Sequence, residues 1–235
     1  MSTTWLITGA NRGIGFTLVK QLSADPSNLI IAACRSPEKA DALKALGGSV
    51  HLVQLEVGDE DSIAKSVEPV RAILGDKGLD YLINNAGIAP HEDTTSFKIN
   101  TATSLQIFKV NTLGPALVAD AYIPFLEVPG RRGVIMNISS SLGAMDYGGK
   151  NTLAPTYCMS KAALNMLSAK QALEKPNLIA FAVCPGWVIT DMGGSGAQLQ
   201  PDDSASALLK LAKSVTKEHS GKFVQRNEAN TGYDI

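Results

Sequence analysis

Short, largely apolar runs recur along the chain, separated by longer stretches in which apolar residues return every three or four positions. The short runs, Thr4 to Thr8, Leu29 to Ala33, Ser49 to Leu55, Leu79 to Ile83, Val134 to Ile138, Asn177 to Val183 and Lys222 to Gln225, read as seven strands. The longer stretches read as helices. One carries Ile14, Leu18, Val19 and Leu22 on one side; a second runs from Pro37 to Leu46, with Pro37 suited to a first turn. A third, Glu60 to Leu74, has Ile63, Val67, Val70, Ile73 and Leu74 as an apolar stripe. A fourth begins near Thr101 and carries Leu105, Phe108 and Val110. A fifth is capped by Thr156 and continues through Ala162, Ala163, Leu164, Met166, Leu167 and Ala169, and a sixth spans Asp202 to Lys213. Repeated strand–helix alternation predicts an α/β fold with a doubly wound parallel sheet of about seven strands, since right-handed crossovers place helices on both faces. No linker, repeat or change of composition divides residues 1–235, so one domain is expected.

Composition agrees and excludes several trades. The chain has 235 residues, 45% hydrophobic and 18% charged, which suits a globular protein with a substantial core. A net charge of -1 leaves no basic footprint for nucleic acid. The first residues show neither a basic flank nor a long apolar run, so no secretory signal or membrane span is expected and the cytoplasm is the expected compartment. Cys34, Cys158 and Cys184 are far apart and lack ligand spacing; they read as small buried hydrophobes, with no metal site.

Candidate chemistry gathers where strands end. Gly9-Ala10-Asn11-Arg12-Gly13-Ile14-Gly15 joins the first strand to the first helix. Such a turn is either a tight βα connection or a cradle in which backbone N–H groups and the positive helix end meet a pyrophosphate. The second strand ends at Cys34-Arg35-Ser36 with no acid to accept the ribose hydroxyls of NAD. Arg35 there and Arg12 in the turn are instead suited to the 2′-phosphate of NADP. Asn84-Asn85-Ala86-Gly87 follows the fourth strand, where amides can brace backbone and small residues admit a ribose. Tyr157 and Lys161 stand four apart in a helix and share one face. A solvated surface would account for that spacing; so would a proton donor whose phenolate a nearby ammonium stabilises, drawing the tyrosine pKa toward neutral.

Together, Thr8-Gly9-Ala10-Asn11-Arg12-Gly13-Ile14-Gly15, Asn84-Asn85-Ala86-Gly87, Asn111, Ser139-Ser140-Ser141, Tyr157 with Lys161, and Pro185-Gly186-Trp187-Val188-Ile189-Thr190 resemble the short-chain dehydrogenase/reductase family, in order and over nearly the whole length. Its compact carbonyl reductases of the C-factor and sniffer type look most similar, with Ser220-Gly221-Lys222-Phe223 part of the likeness. The resemblance implies a Rossmann-type fold and an NADPH-dependent reductase of a small or medium-sized ketone or aldehyde. The alternative on the same fold is a non-catalytic NADP(H)-sensing protein. It implies Asn111, Ser140, Tyr157 and Lys161 as the catalytic set, Ser140 being selected by a Ser-x-x-Gly match that ends at Gly143. Asn111 would bend its helix and hold a water linking Lys161 to solvent. Cofactor contacts are implied for Gly9, Asn11, Arg12, Gly13, Ile14, Gly15, Arg35, Glu56, Val57, Asn85, Ala86 and Gly87, for Tyr157 and Lys161, and for Pro185, Gly186, Val188 and Thr190. It also implies a homodimer or homotetramer whose only other partner is a small-molecule carbonyl or alcohol.

Two departures from the family pattern stand out. The segment from Ser140 to Tyr157 is longer than usual, and its Met145, Asp146 and Tyr147 are candidates to wall the substrate pocket together with Trp187 and Met192. Glu56 stands where the family commonly has an aspartate that contacts adenine. The substrate lid from Asp191 to Gln200 is short and rich in glycine, which predicts an open, permissive pocket.

Overall fold

A computed structural model describes residues 2–89, 95–226 and 233–234. Eight strands form one sheet: β1 Thr3–Thr8, β2 Asn28–Cys34, β3 Val50–Gln54, β4 Tyr81–Asn84, β5 Val134–Ile138, β6 Ile179–Val183, β7 Phe223–Arg226 and β8 Tyr233–Asp234, in the spatial order β3-β2-β1-β4-β5-β6-β7-β8. The first seven are parallel, as the sequence pattern predicts. The two-residue β8, antiparallel to β7 through Arg226 and Tyr233, adds an eighth strand too short to register as a pattern. Strand order reverses between β1 and β4, which opens a crevice beyond their carboxyl ends where such sheets take ligands.

Helices α1 Gly13–Ser23, α2 Asp41–Lys44, α3 Glu60–Leu74, α4 Thr101–Phe108, α5 Gly114–Leu126, α6 Pro155–Glu174 and α7 Pro201–Ser214 connect the strands. Successive residues of β1 serve opposite faces. Trp5 and Ile7 pack with Leu18, Val19 and Leu22 of α1 and Leu208 and Leu209 of α7. Leu6 packs on the other face with Val70 and Leu74 of α3 and Val118, Tyr122 and Phe125 of α5. Full burial of each such side chain contributes about 1.5–3 kcal/mol, so the central strands hold the sheet rigid beneath the crevice. No described helix is long and apolar enough to cross a membrane.

Two helix expectations are revised, and the expected disturbance of the helix at Asn111 is observed. Pro37 to Leu46 is a 3-10 turn, Pro37–Lys39, followed by the one-turn α2, the helix being broken at Ala40, whose φ of -93° and ψ of 57° are not helical. α6 starts at Pro155 after Ala154, whose φ of 41° is left-handed; Thr156 lies inside the helix, buried, and bonds the Ser104 hydroxyl at 3.1 Å instead of capping. The helix through Asn111 is interrupted by a π-helical segment, Lys109–Leu113. Pro115 supplies a physical reason, because it has no N–H to return to the Asn111 carbonyl four residues earlier.

Candidate active site

The turn between β1 and α1 forms the floor of the crevice. A Cβ on Gly9, whose φ is +63°, would stand 2.9 Å from the Ala86 Cα, and a Cβ on Gly15 would stand 2.3 Å from the Gly9 carbonyl oxygen. These glycines let two strand-end loops and α1 close on one another. Thr8 and Asn85 tie them: the Thr8 hydroxyl accepts from the N–H groups of Asn85 and Ala86 at 3.0 and 3.1 Å, and the Asn85 amide donates to the Thr8 and Gly9 carbonyls at 2.9 and 3.2 Å. α1 has no side-chain cap and no acid in its first turn, so its positive end is left for an anion at the wall formed by Gly13 and Ile14. Gly15 itself packs beneath the turn and does not line the cleft.

A cleft of about 310 Å³ runs across this floor. Arg35, Glu56 and Val57 stand at one end, Asn85, Ala86, Gly87, Pro185 and Thr190 along the middle, and Tyr157 and Lys161 at the other end. Both arginines have carboxylate partners: Arg12 Nη1 is 3.1 Å from Asp191 and Arg35 Nε is 3.5 Å from Glu56. The expectation of an acid-free pocket at the second strand's end is therefore corrected. The carboxylate arrives from the end of β3, a neighbouring strand that residue order along β2 does not reveal.

The other end is buried. Lys161, 4% exposed, donates from Nζ to the Ile138 carbonyl at 2.8 Å and lies 5.6 Å from the centre of the Tyr157 ring. Burial pulls its pKa down to about 8, opposed by Cys184. Burial also raises the Tyr157 pKa above its ordinary value, helped by Cys184 and Cys158 and offset in part by a hydrogen bond from Ser140. The sequence expectation was a tyrosine drawn toward neutral; the structure reverses it, because both groups share a low-dielectric pocket that favours their uncharged forms.

Asn111 is fully buried and closes a network behind them. Its Oδ1 accepts from Ile88 N at 2.9 Å, and its Nδ2 donates to the Ile88 carbonyl at 2.8 Å and to the Ser160 hydroxyl at 3.1 Å. Ser160 in turn donates to the Tyr157 carbonyl at 2.8 Å, so α6 and the π segment are pinned to the loop that follows β4. The Asn111 amide thus carries a structural load that its position in the sequence does not disclose. Among the three serines, Ser139 donates to the Asn165 amide oxygen at 2.6 Å, and Ser140 caps the short 3-10 turn Ser141–Gly143.

A second cavity of about 430 Å³ meets the cleft at Tyr157. Ser140, Tyr147, Gly186, Trp187, Val188 and Met192 line it, and among the described residues its wall contains no charged side chain. Met145, 84% exposed, lines neither cavity and is corrected as a pocket residue: its loop turns back at Gly148, where a Cβ would stand 2.0 Å from the Leu142 carbonyl oxygen. Leu142, Leu153, Ala154 and Cys184 also line this cavity, and sequence reasoning missed them as wall residues. Cys184, next to Pro185-Gly186, and Leu142, inside the Ser140 to Gly143 match, had nearby signals. The lid segment is tied back to the turn that precedes it. Ile189 N donates to the Leu199 carbonyl at 2.9 Å, Leu199 N to the Trp187 carbonyl at 3.0 Å, and the Trp187 indole to the Gly193 carbonyl at 2.8 Å.

The glycine cradle, the uncapped helix and the adjoining cleft fit a dinucleotide cofactor, and the comparisons agree. Residues 3–200 match the family model described as short chain dehydrogenase. A short chain dehydrogenase of Penicillium aethiopicum, gsfK, is 34% identical over 249 residues, covering 97% of this chain and 98% of that protein. An NADPH-bound carbonyl reductase from chicken fatty liver superposes with a TM-score of 0.87 at 33% identity, covering 96% of this chain and 97% of that one. The carbonyl reductase Sniffer of D. melanogaster gives 0.89 at 30%, with the same coverage of 96% and 97%. On fold, site architecture and sequence alike, this chain belongs to the short-chain dehydrogenase family and is an oxidoreductase.

Proposed function

We propose that the chain reduces an uncharged ketone or aldehyde with NADPH, the reaction being reversible toward alcohol oxidation. The observation that carries this reading is the meeting of a cleft floored by the glycine turn and an uncharged cavity at Tyr157, with Lys161 lining the first and Ser140 the second. When bound, the nicotinamide supplies a hydride. Tyr157 gives its hydroxyl proton to the carbonyl oxygen, and the Ser140 hydroxyl donates a second hydrogen bond to that oxygen as negative charge develops there. Lys161 stabilises the phenolate left on Tyr157 and, with a pKa near 8, can hand on a proton from its Nζ. Asn111 keeps the Ile88 loop and α6 in register, so that a proton can be replaced from solvent behind Lys161.

NADPH is favoured over NADH by Arg35 and Arg12, both in the cleft wall, since exposed ion pairs of the kind they make are held by only about 0–1 kcal/mol and yield readily to a phosphate. The NADPH-bound chicken carbonyl reductase supports the same choice. Exposed apolar side chains on neighbouring helices, Leu113 and Leu117 near the start of α5 and Met159, Met166 and Leu173 on α6, support a homodimer. The test is to follow nicotinamide absorbance with a panel of ketones, aldehydes and quinones, giving each reduced cofactor in turn. NADPH-dependent reduction of several members is expected. Cofactor binding with no turnover across the panel would replace this reading with that of a sensor.

A further inference from the structure

The Arg35–Glu56 pair bears on cofactor choice beyond the arginine alone. The Glu56 carboxylate faces two partners, with Oε1 accepting from Gly58 N at 3.4 Å and Oε2 3.5 Å from Arg35 Nε. Its own backbone N–H donates to the Ser62 hydroxyl at 2.9 Å, which fixes the start of the turn into α3. Arg35, Glu56 and Gly58 all line the same end of the cleft. A negative charge is therefore built into the wall where the cation stands.

We infer that Glu56 is a specificity-determining residue: its carboxylate restrains the preference for the 2′-phosphate, so this chain separates NADPH from NADH less sharply than Arg35 alone would dictate. The inference rests on the NADPH reading above. Two effects give it direction. With Nε facing Glu56, the terminal N–H groups of Arg35 are still donors for a phosphate, so the phosphate contact survives. The phosphate, carrying nearly two negative charges, nonetheless meets a paired cation of zero net charge where a lone arginine would offer one positive charge. Arg12 is offset in the same way by Asp191, at 3.1 Å, so neither arginine of the cleft stands alone. The uncharged ribose hydroxyls of NADH suffer no such repulsion. Near a surface and in moderate salt, one charge at this range alters phosphate affinity by roughly three- to tenfold.

Dissociation constants for NADPH and NADH, read from reduced-nicotinamide fluorescence in low salt, test the inference. Glu56→Gln keeps the shape and an oxygen acceptor and removes the charge. It should tighten NADPH by about three- to tenfold, shift NADH by less than about twofold, and lose its advantage as salt is raised. Glu56→Asp, which keeps the charge, should retain the wild-type ratio. Unaltered or weakened NADPH binding in Glu56→Gln, or equal changes for both cofactors, would overturn the inference. Arg35→Ala in the same assay separates the two levels. If it weakens NADPH selectively while Glu56→Gln gains nothing, the NADPH reading stands and the role of Glu56 falls. If it does not alter the ratio of the two constants, the NADPH reading itself fails.

Discussion

The cofactor cleft is built in two contrasting ways at its two ends. At the Arg35 end, Arg12, Asp191 and Arg35 are exposed and Glu56 is partly so, and they meet in single contacts at 3.1 and 3.5 Å. At the reacting end, Lys161, Asn111, Ser139 and Ser160 are buried, and each makes at least one hydrogen bond of 3.1 Å or less. Screening makes the first end tolerant and adjustable, since exposed charges trade partners at little cost. Desolvation makes the second end rigid and costly, because each buried polar group depends on its partner. On the proposed function, recognition of the cofactor's variable group would fall where substitution is cheap, and proton transfer where geometry is enforced.

Substitutions at the two ends sharpen or break this contrast. The largest effect belongs to Tyr157→Phe, which keeps the ring and removes the proton donor: carbonyl reduction should fall by roughly 10²- to 10⁴-fold while NADPH still binds. Turnover within about tenfold of wild type would remove Tyr157 from the proposed mechanism.

Next comes Lys161→Met. Folded Lys161 releases its proton near 8, whereas the unfolded chain keeps it up to the ordinary 10.5. Between those values the unfolded state binds more protons, so this group makes stability rise with pH across that window; below it the buried charge costs on the order of 3 kcal/mol. Lys161→Met should therefore resist urea better near neutral pH, show a flatter stability profile between about 8 and 10.5, and lose turnover. A variant less stable than wild type at neutral pH would show that the Ile138 hydrogen bond outweighs desolvation.

The smallest effect is expected at the exposed end. Asp191→Asn breaks the Arg12 pair and should change unfolding free energy by less than about 1 kcal/mol. A larger loss by urea titration would mean that this pair is not the weak, screened contact its exposure indicates.

Much of the fold was legible because its signals are local. α3 begins and ends where its apolar stripe, Ile63 to Leu74, predicts, and Asp59 caps it by accepting from the N–H groups of Asp61 and Ser62. The parallel strands follow from runs dense enough to be buried on both faces. The glycine turn and the Tyr157–Lys161 spacing are likewise written in nearby residues, and the resemblance to a known family, more than the spacing, marks them as candidate cofactor and catalytic positions. Local signals fail where a long approach decides. β8 has too few residues to carry a period, and the wall of the second cavity depends on how residues 141–154 fold back over Leu142.

By itself, then, the sequence determined the doubly wound sheet and the glycine-rich turn through local periodicity, and it set Tyr157 and Lys161 on one helical face, to which the resemblance to a known family gave a role. Tertiary structure alone decided what surrounds them. It brought Glu56 to Arg35 from a neighbouring strand and Asp191 to Arg12 across 179 positions. It also set the Asn111 amide between Ile88 and Ser160, and it buried Tyr157 and Lys161 deeply enough to move both pKa values toward their neutral forms. Charge pairing and desolvation depend on distances through space, and the order of residues along a chain does not contain them until the sheet and its helices have closed.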